Sequence, residues 1–166
     1  MALPPYELFA EIYRIHGHRC PMSTLGGRLG FAANTRLAGH TSLTAIYYID
    51  TCAADGISVM TGCHKVDGTL RISAQERHAL WLESATGDGI FAELKSQTLQ
   101  LACDYRDLDL AFQKDEGRLS SDERQLRQTA KMEVFEDLLE KFRTLPEEEL
   151  INFTTELPVD LAKTVK

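Results

Sequence analysis

The sequence predicts an α+β fold, a mixed or antiparallel sheet with helices packed on one side, and three observations predict it. Segments near both ends carry apolar residues at helical spacing, the middle of the chain alternates at strand spacing, and Gly, Asp and Pro mark the joins. The 166 residues, 43% hydrophobic and 26% charged, match the size and composition of one globular domain, so a single domain over 1–166 is expected.

The first helix follows Pro4 and Pro5, where Tyr6, Phe9, Ile12 and Tyr13 recur at helical spacing until His16 and Gly17. Pro21 suits the first turn of a second helix, which Leu25, Leu29, Ala32, Ala33 and Leu37 continue until Gly39. Its three glycines, Gly26, Gly27 and Gly30, lower helix propensity, which points to close packing on another backbone. Leu43–Ile49 reads as a strand, Ala53–Met60 as a short helix, and Thr61-Gly62-Cys63 as that helix's closing turn. Further strands are expected at Thr69–Ile72, His78–Glu83 and Ile90–Leu94, with Gly87-Asp88-Gly89 as a turn. A capped helix starts at Ser120-Ser121 and runs to Leu145-Pro146. Its apolar stripe of Leu126, Ala130, Phe135, Leu138, Leu139 and Phe142 reads as core-facing, with the rest solvated. Residues 147–166 add a short helix and a strand.

A net charge of −7 excludes the basic footprint of a nucleic-acid binder. No segment approaches the roughly 20 apolar residues of a membrane span, and the N-terminus lacks a signal-peptide pattern, so no membrane and a cytoplasmic location are expected. Cysteines are reduced in that compartment and available as ligands or thiols.

The chemistry concentrates in two clusters. His16-Gly17-His18-Arg19-Cys20 sets three transition-metal ligands at alternate positions, with Gly17 letting the backbone bend so that they converge. Cys20 also stands at the start of a helix, where the dipole stabilises thiolate. The second cluster, Asp50-Thr51-Cys52-Ala53-Ala54-Asp55 and Thr61-Gly62-Cys63-His64, adds two thiols, two carboxylates and an imidazole. Neither contains a CxxC, so a zinc ribbon is not indicated. The expected metal site is drawn from His16, His18, Cys20, Cys52 and Cys63, and Cys20, Cys63 and Asp55 are the candidates for catalysis. Imidazole and thiolate select zinc first, with iron or nickel as alternatives. Cys103, alone in LACDYRD on an apolar stretch, reads as core packing.

Two motifs, HGHRCP at 16–21 with the glycine-bearing helix after it and DTCAADGISVMTGC at 50–63 leading into GTL at 68–70, resemble the FmdE family of formylmethanofuran dehydrogenase components. Weaker likeness runs to LPEEELINF at 145–153. The resemblance implies an α+β core that forms a homodimer, with these histidines and cysteines lining a metal-containing site. His18, Cys20 and Cys63 match the family pattern best, with His16, Cys52 and Asp55 beside them. It further implies an accessory or redox protein whose partners are subunits of a molybdenum or tungsten enzyme of the formylmethanofuran dehydrogenase type. The chain departs from the pattern at Met22, where the family has Gly, and at His64-Lys65, where it has Thr and a Gly-Lys pair. It resembles the core domain without the C-terminal zinc finger that many members carry.

Two other functions fit the residues. A metal-independent thiol redox enzyme would cycle Cys20 or Cys63 through a disulfide or sulfenic acid, although Asp50 and Asp55 would raise thiol pKa values. A structural assembly component without catalysis would use the clusters only to rigidify a dimer.

Overall fold

The computed structural model describes residues 3–162. Helix α1, Tyr6–His16, buries Phe9 and Ile12 and ends at Gly17, whose φ of 89° is the left-handed cap that lets its N–H reach Tyr13 O. The chain then runs extended through Cys20 into helix α2, Pro21–Arg36, with Pro21 in its first turn. The Cys20 carbonyl accepts hydrogen bonds from the Ser23 and Thr24 hydroxyls and from the Thr24 N–H, which pins the entry to α2.

Strand β1, Leu43–Tyr47, leads through a turn at 48–52 into helix α3, Ala53–Thr61, closed by left-handed Gly62. Strand β2, Leu70–Ile72, returns parallel to β1, as a strand after a helical crossover does. Strands β3, Ala79–Ser84, and β4, Gly89–Leu94, form a hairpin, and β5, Ile151–Thr154, completes the sheet in the order β2-β1-β3-β4-β5. Every pairing except β1–β2 is antiparallel, so the sheet is mixed.

Alternation along the strands sorts the two faces. Ala45, Tyr47, Leu80, Leu82, Ile90 and Ala92 face the helices, whereas Ile46, Tyr48, Ala79, Trp81 and Phe91 form a second apolar layer with Leu157 and Leu161. The helices therefore cover one face, as the sequence predicts.

Helix α2 packs on α3 almost backbone to backbone. A Cβ at Gly26 would stand 2.0 Å from Ala53 O, and one at Gly56 would stand 2.2 Å from Ser23 O and 2.3 Å from Gly27 N. Only glycine allows that approach, and the contact lies at the N-terminal ends of both helices.

Two findings differ from the sequence reading. The sequence assigns no element between 95 and 119, yet Ser96–Asp115 is helix α4, followed by a 3-10 turn at Glu116–Arg118. Its apolar stripe is weak because α4 buries only Thr98 and Phe112. Cys103 accordingly sits half-buried on α4 and outside the core clusters. Helix α5, Ser121–Thr144, begins at the expected Ser120–Glu123 capping box, but only Phe135, Leu138, Leu139 and Phe142 are buried; Leu126 is 73% exposed. The C-terminal half of α5 is held down by buried Arg28, which donates to Phe142 O at 2.8 Å and Leu145 O at 2.6 Å and so satisfies carbonyls the helix end leaves open. A short helix α6, Glu147–Leu150, precedes β5. No helix among the described residues is long and apolar enough to cross a membrane.

The Gly56→Ala protein is expected to lose about 2–3 kcal/mol of stability, the usual cost of forcing a methyl group into a closed contact. Gly117→Ala, which meets nothing within 4 Å, is the control and should stay within about 0.5 kcal/mol of the parent. Urea denaturation of both variants measures this, and equal stabilities would contradict a backbone contact that requires glycine.

Candidate metal centre

The close crossing of α2 and α3 brings two helix starts together, and Cys20 and Cys52 are the residues that cap them. Their Sγ atoms stand 3.3 Å apart. His16, the last residue of α1, reaches the same point, and one donor atom from each of His16, Cys20 and Cys52 lies within 4.8 Å of the others. All three are partly buried.

Asp55 orients the imidazole. It sits in the first turn of α3, three residues after Cys52, with Oδ2 2.7 Å from His16 Nδ1. A carboxylate only accepts, so Nδ1 carries the proton and donates, which leaves the Nε2 lone pair as the ring's free donor. A carboxylate behind a ligating histidine is the usual support in metal sites.

The thiols share one proton. The hydrogen bond from Cys52, with the backbone N–H groups of Ser23 and Met22 adding to it, lowers the Cys20 pKa to about 5 against the opposing effect of burial. Cys52 is pushed up, first by that same hydrogen bond to Cys20, then by burial and by the Cys20 charge. With its pKa lowered while that of Cys52 is raised, Cys20 is the thiol that ionises first, beside two helix N-termini whose dipoles favour negative charge.

The donor set fits a transition metal. A tetrahedral zinc with Zn–S near 2.3 Å sets its sulfurs about 3.8 Å apart, so the observed pair has to open by only about half an ångström. Two sulfurs and one imidazole fill three of four tetrahedral positions.

The remaining candidates lie at different distances from this point. The His18 ring lies tilted by 41° beside that of His16, with 4.4 Å between centroids, but is exposed and outside the three-donor group. Cys63 lies beyond the far end of α3, about 15 Å along the helix from Cys52 by helical rise. There its thiol faces Leu43 O at 3.5 Å, and burial pushes its pKa up. Asp50 pairs with Lys65 at 3.3 Å on the surface, and His64 is exposed.

Two surrounding features carry no sequence signal. Buried Tyr47 has its hydroxyl 3.2 Å from Thr51 Oγ1 and 3.2 Å from His78 Nδ1, a polar group under the turn that bears Cys52, and burial keeps His78 below the ordinary imidazole range. Arg19 bonds Glu136 at 2.8 Å and stacks over Phe135, tying the His16–Cys20 loop to α5. Each contact joins residues distant along the chain, which no local motif reports.

Comparison with known proteins gives a consistent picture. The family described as "FmdE, Molybdenum formylmethanofuran dehydrogenase operon" matches residues 15–152. No curated protein matches the chain. Among solved structures, an FmdE-like protein of the tungsten formylmethanofuran dehydrogenase type from Syntrophus aciditrophicus is similar, with a TM-score of 0.62 and 19% identity over 98% of this chain and 82% of that one. At that identity the likeness carries the fold.

In reduced, metal-free protein, Cys20 should react with iodoacetamide down to about pH 6, where an ordinary thiol with a pKa near 8.5 is almost wholly protonated. The sign follows from the lowered pKa: thiolate persists as pH falls and is lost only toward about 5. Cys52→Ala removes the proton donor and should shift the reactive range upward. Peptide mass mapping checks it, and a Cys20 profile matching that of Cys103 would refute it.

Proposed function

Because the chain belongs to the FmdE family, we propose that it is a metal-binding protein in which His16 Nε2, Cys20 and Cys52 hold one transition-metal ion, zinc first and iron or nickel next. It works in the cytoplasm as a homodimer, as an accessory or redox partner of a molybdenum or tungsten enzyme of the formylmethanofuran dehydrogenase type. The observation that carries this reading is the convergence of one imidazole and two thiols with Asp55 behind the imidazole.

Within that reading each residue has a distinct task. Asp55 holds the His16 tautomer and orientation, and the starts of α2 and α3 stabilise the two thiolates, which must be deprotonated to bind. A bound ion with one open position supplies Lewis acidity or an activated water. His18 lies exposed beside His16. Cys63 packs in the core and Cys103 lies on α4; neither is a ligand.

A second reading, a metal-free dithiol couple, is favoured by the 3.3 Å approach of Cys20 and Cys52. Oxidation would form the Cys20–Cys52 disulfide, passing the one shared proton and two electrons to a second disulfide, which is reduced to a thiol and a thiolate.

Protein purified anaerobically under reducing conditions is expected to carry about one ion per chain by elemental analysis. Cys20→Ala, Cys52→Ala and His16→Ala should remain folded and lose the ion, while Asp55→Asn weakens it about 10- to 100-fold. Cys63→Ala and Cys103→Ser should retain it. Absence of stoichiometric metal after reconstitution, together with a reversible Cys20–Cys52 disulfide, would select the dithiol reading instead.

A further inference from the structure

Tyr47 is the last residue of β1 and lies on the sheet face that the helices cover, paired across to Leu80 with Ala45 and Leu82 beside it. A phenyl ring alone would fill that apolar place, so a hydroxyl on a residue with no exposed surface has to serve its polar partners. It has two, Thr51 Oγ1 at 3.2 Å and His78 Nδ1 at 3.2 Å. Burial pushes the Tyr47 pKa up to about 12, the Thr51 hydrogen bond opposing and the charge of Cys52 adding to the rise. The phenol therefore keeps its proton and stays a donor.

The two partners belong to different parts of the chain, and each is fixed. His78 ends the connection from β2 to β3, which is bonded to the end of β1. There the Ser73 N–H donates to Tyr47 O at 2.8 Å, the Gln75 and Arg77 N–H groups donate to Tyr48 O at 3.1 and 3.2 Å, and the Tyr48 N–H donates to Ala79 O at 3.0 Å. Thr51 opens α3 from the other side. Its Oγ1 accepts from the Ala53 N–H at 3.4 Å and its carbonyl from the Ala54 N–H at 3.1 Å, so Cys52 is bracketed by bonded neighbours.

We propose that Tyr47 is a positioning residue for the metal centre: its hydroxyl ties Thr51, and with it the turn that carries the Cys52 sulfur, to His78 and the end of the sheet. The proposal rests on the reading of His16, Cys20 and Cys52 as ligands and names what holds the third of them. The other two have their own supports, Asp55 on the His16 ring and the Ser23 and Thr24 hydroxyls on the Cys20 carbonyl. Hydrogen bonds behind the ligands set where the donor atoms point, and a site whose sulfur is free to turn holds its ion less tightly.

Cobalt(II) alone is the probe, because its visible absorption reports the number and geometry of the thiolates around it. The full chain is compared with Tyr47→Phe, Thr51→Val and Thr51→Ser, and with Leu82→Val as a packing control. Tyr47→Phe and Thr51→Val should bind cobalt about tenfold more weakly with a shifted band, whereas Thr51→Ser, which keeps the oxygen, should match the parent. Leu82→Val should lose stability and neither affinity nor band. The second readout needs no metal: exchange with glutathione, in which the Cys20–Cys52 dithiol is oxidised as glutathione disulfide is reduced to two thiols. Tyr47→Phe should disfavour the protein disulfide about tenfold, since a looser turn keeps the sulfurs together less of the time.

Unchanged affinity and exchange in Tyr47→Phe overturn the positioning role and leave the metal site standing. A loss of cobalt affinity in Leu82→Val as large as that in Tyr47→Phe also overturns it, reducing Tyr47 to packing. A parent that binds no cobalt overturns the metal reading, and the glutathione equilibrium then decides the positioning of Cys52 by itself. Should circular dichroism show Tyr47→Phe unfolded, the Thr51 pair decides, and equal affinity and exchange in Thr51→Val and Thr51→Ser overturn the proposal.

Discussion

The contact between α2 and α3 governs the rest of the molecule. At Gly26 and Gly56 the two backbones meet at distances that exclude any side chain, and the meeting point lies within the first two turns of both helices. Cys20 and Cys52 cap those helices, so their 3.3 Å approach is a direct consequence of how closely the helices lie. Had the helices packed through ordinary side chains, at 8–10 Å between axes, the two sulfurs would be separated further and could not share one proton or one ion. The glycines act on the chemistry without touching it.

The same contact sets the electrostatics. Two helix N-termini point at one pair of sulfurs, and the backbone N–H groups of Met22 and Ser23 stabilise the Cys20 thiolate. Asp55 adds negative charge beside His16, where it orients the ring through a 2.7 Å hydrogen bond. Of the two carboxylates that argue against thiol chemistry on sequence grounds, Asp55 hydrogen-bonds the imidazole and still helps to raise the Cys52 pKa, whereas Asp50 pairs with Lys65 at the surface.

Away from this centre, packing thins. The sheet, α2, α3 and the C-terminal half of α5 form the body, and Arg28 closes it by satisfying the carbonyls at the end of α5. The outer parts of α4 and α5 are held by the Asp109–Lys131 and Asp115–Arg127 ion pairs and by Phe112, and they leave Leu108, Leu126 and Val134 exposed. One continuous helix, α5, thus takes part in the core through Phe135–Phe142, in the tether to the His16–Cys20 loop through Glu136, and in an exposed outer stretch around Leu126.

Periodicity and punctuation in the sequence determined most of the elements: α1 and its Gly17 cap, α2 from Pro21, the short helix after Cys52, the middle strands and the capping box of α5 were all legible, because each is written in residues within a turn or two of one another. The three α2 glycines even announced a close backbone contact, though not with what. Helix α4 was not legible, since a helix that buries only Thr98 and Phe112 leaves almost no apolar period to read. Which of the candidate ligands converge was decided by tertiary structure. Ligand chemistry marked His16, His18, Cys20, Cys52 and Cys63 alike, but α3 lies between Cys52 and Cys63, so only one end of that helix can meet Cys20. Local spacing specifies which residues are able to bind; which of them converge depends on how helices far apart in sequence cross, and that distance is fixed by packing.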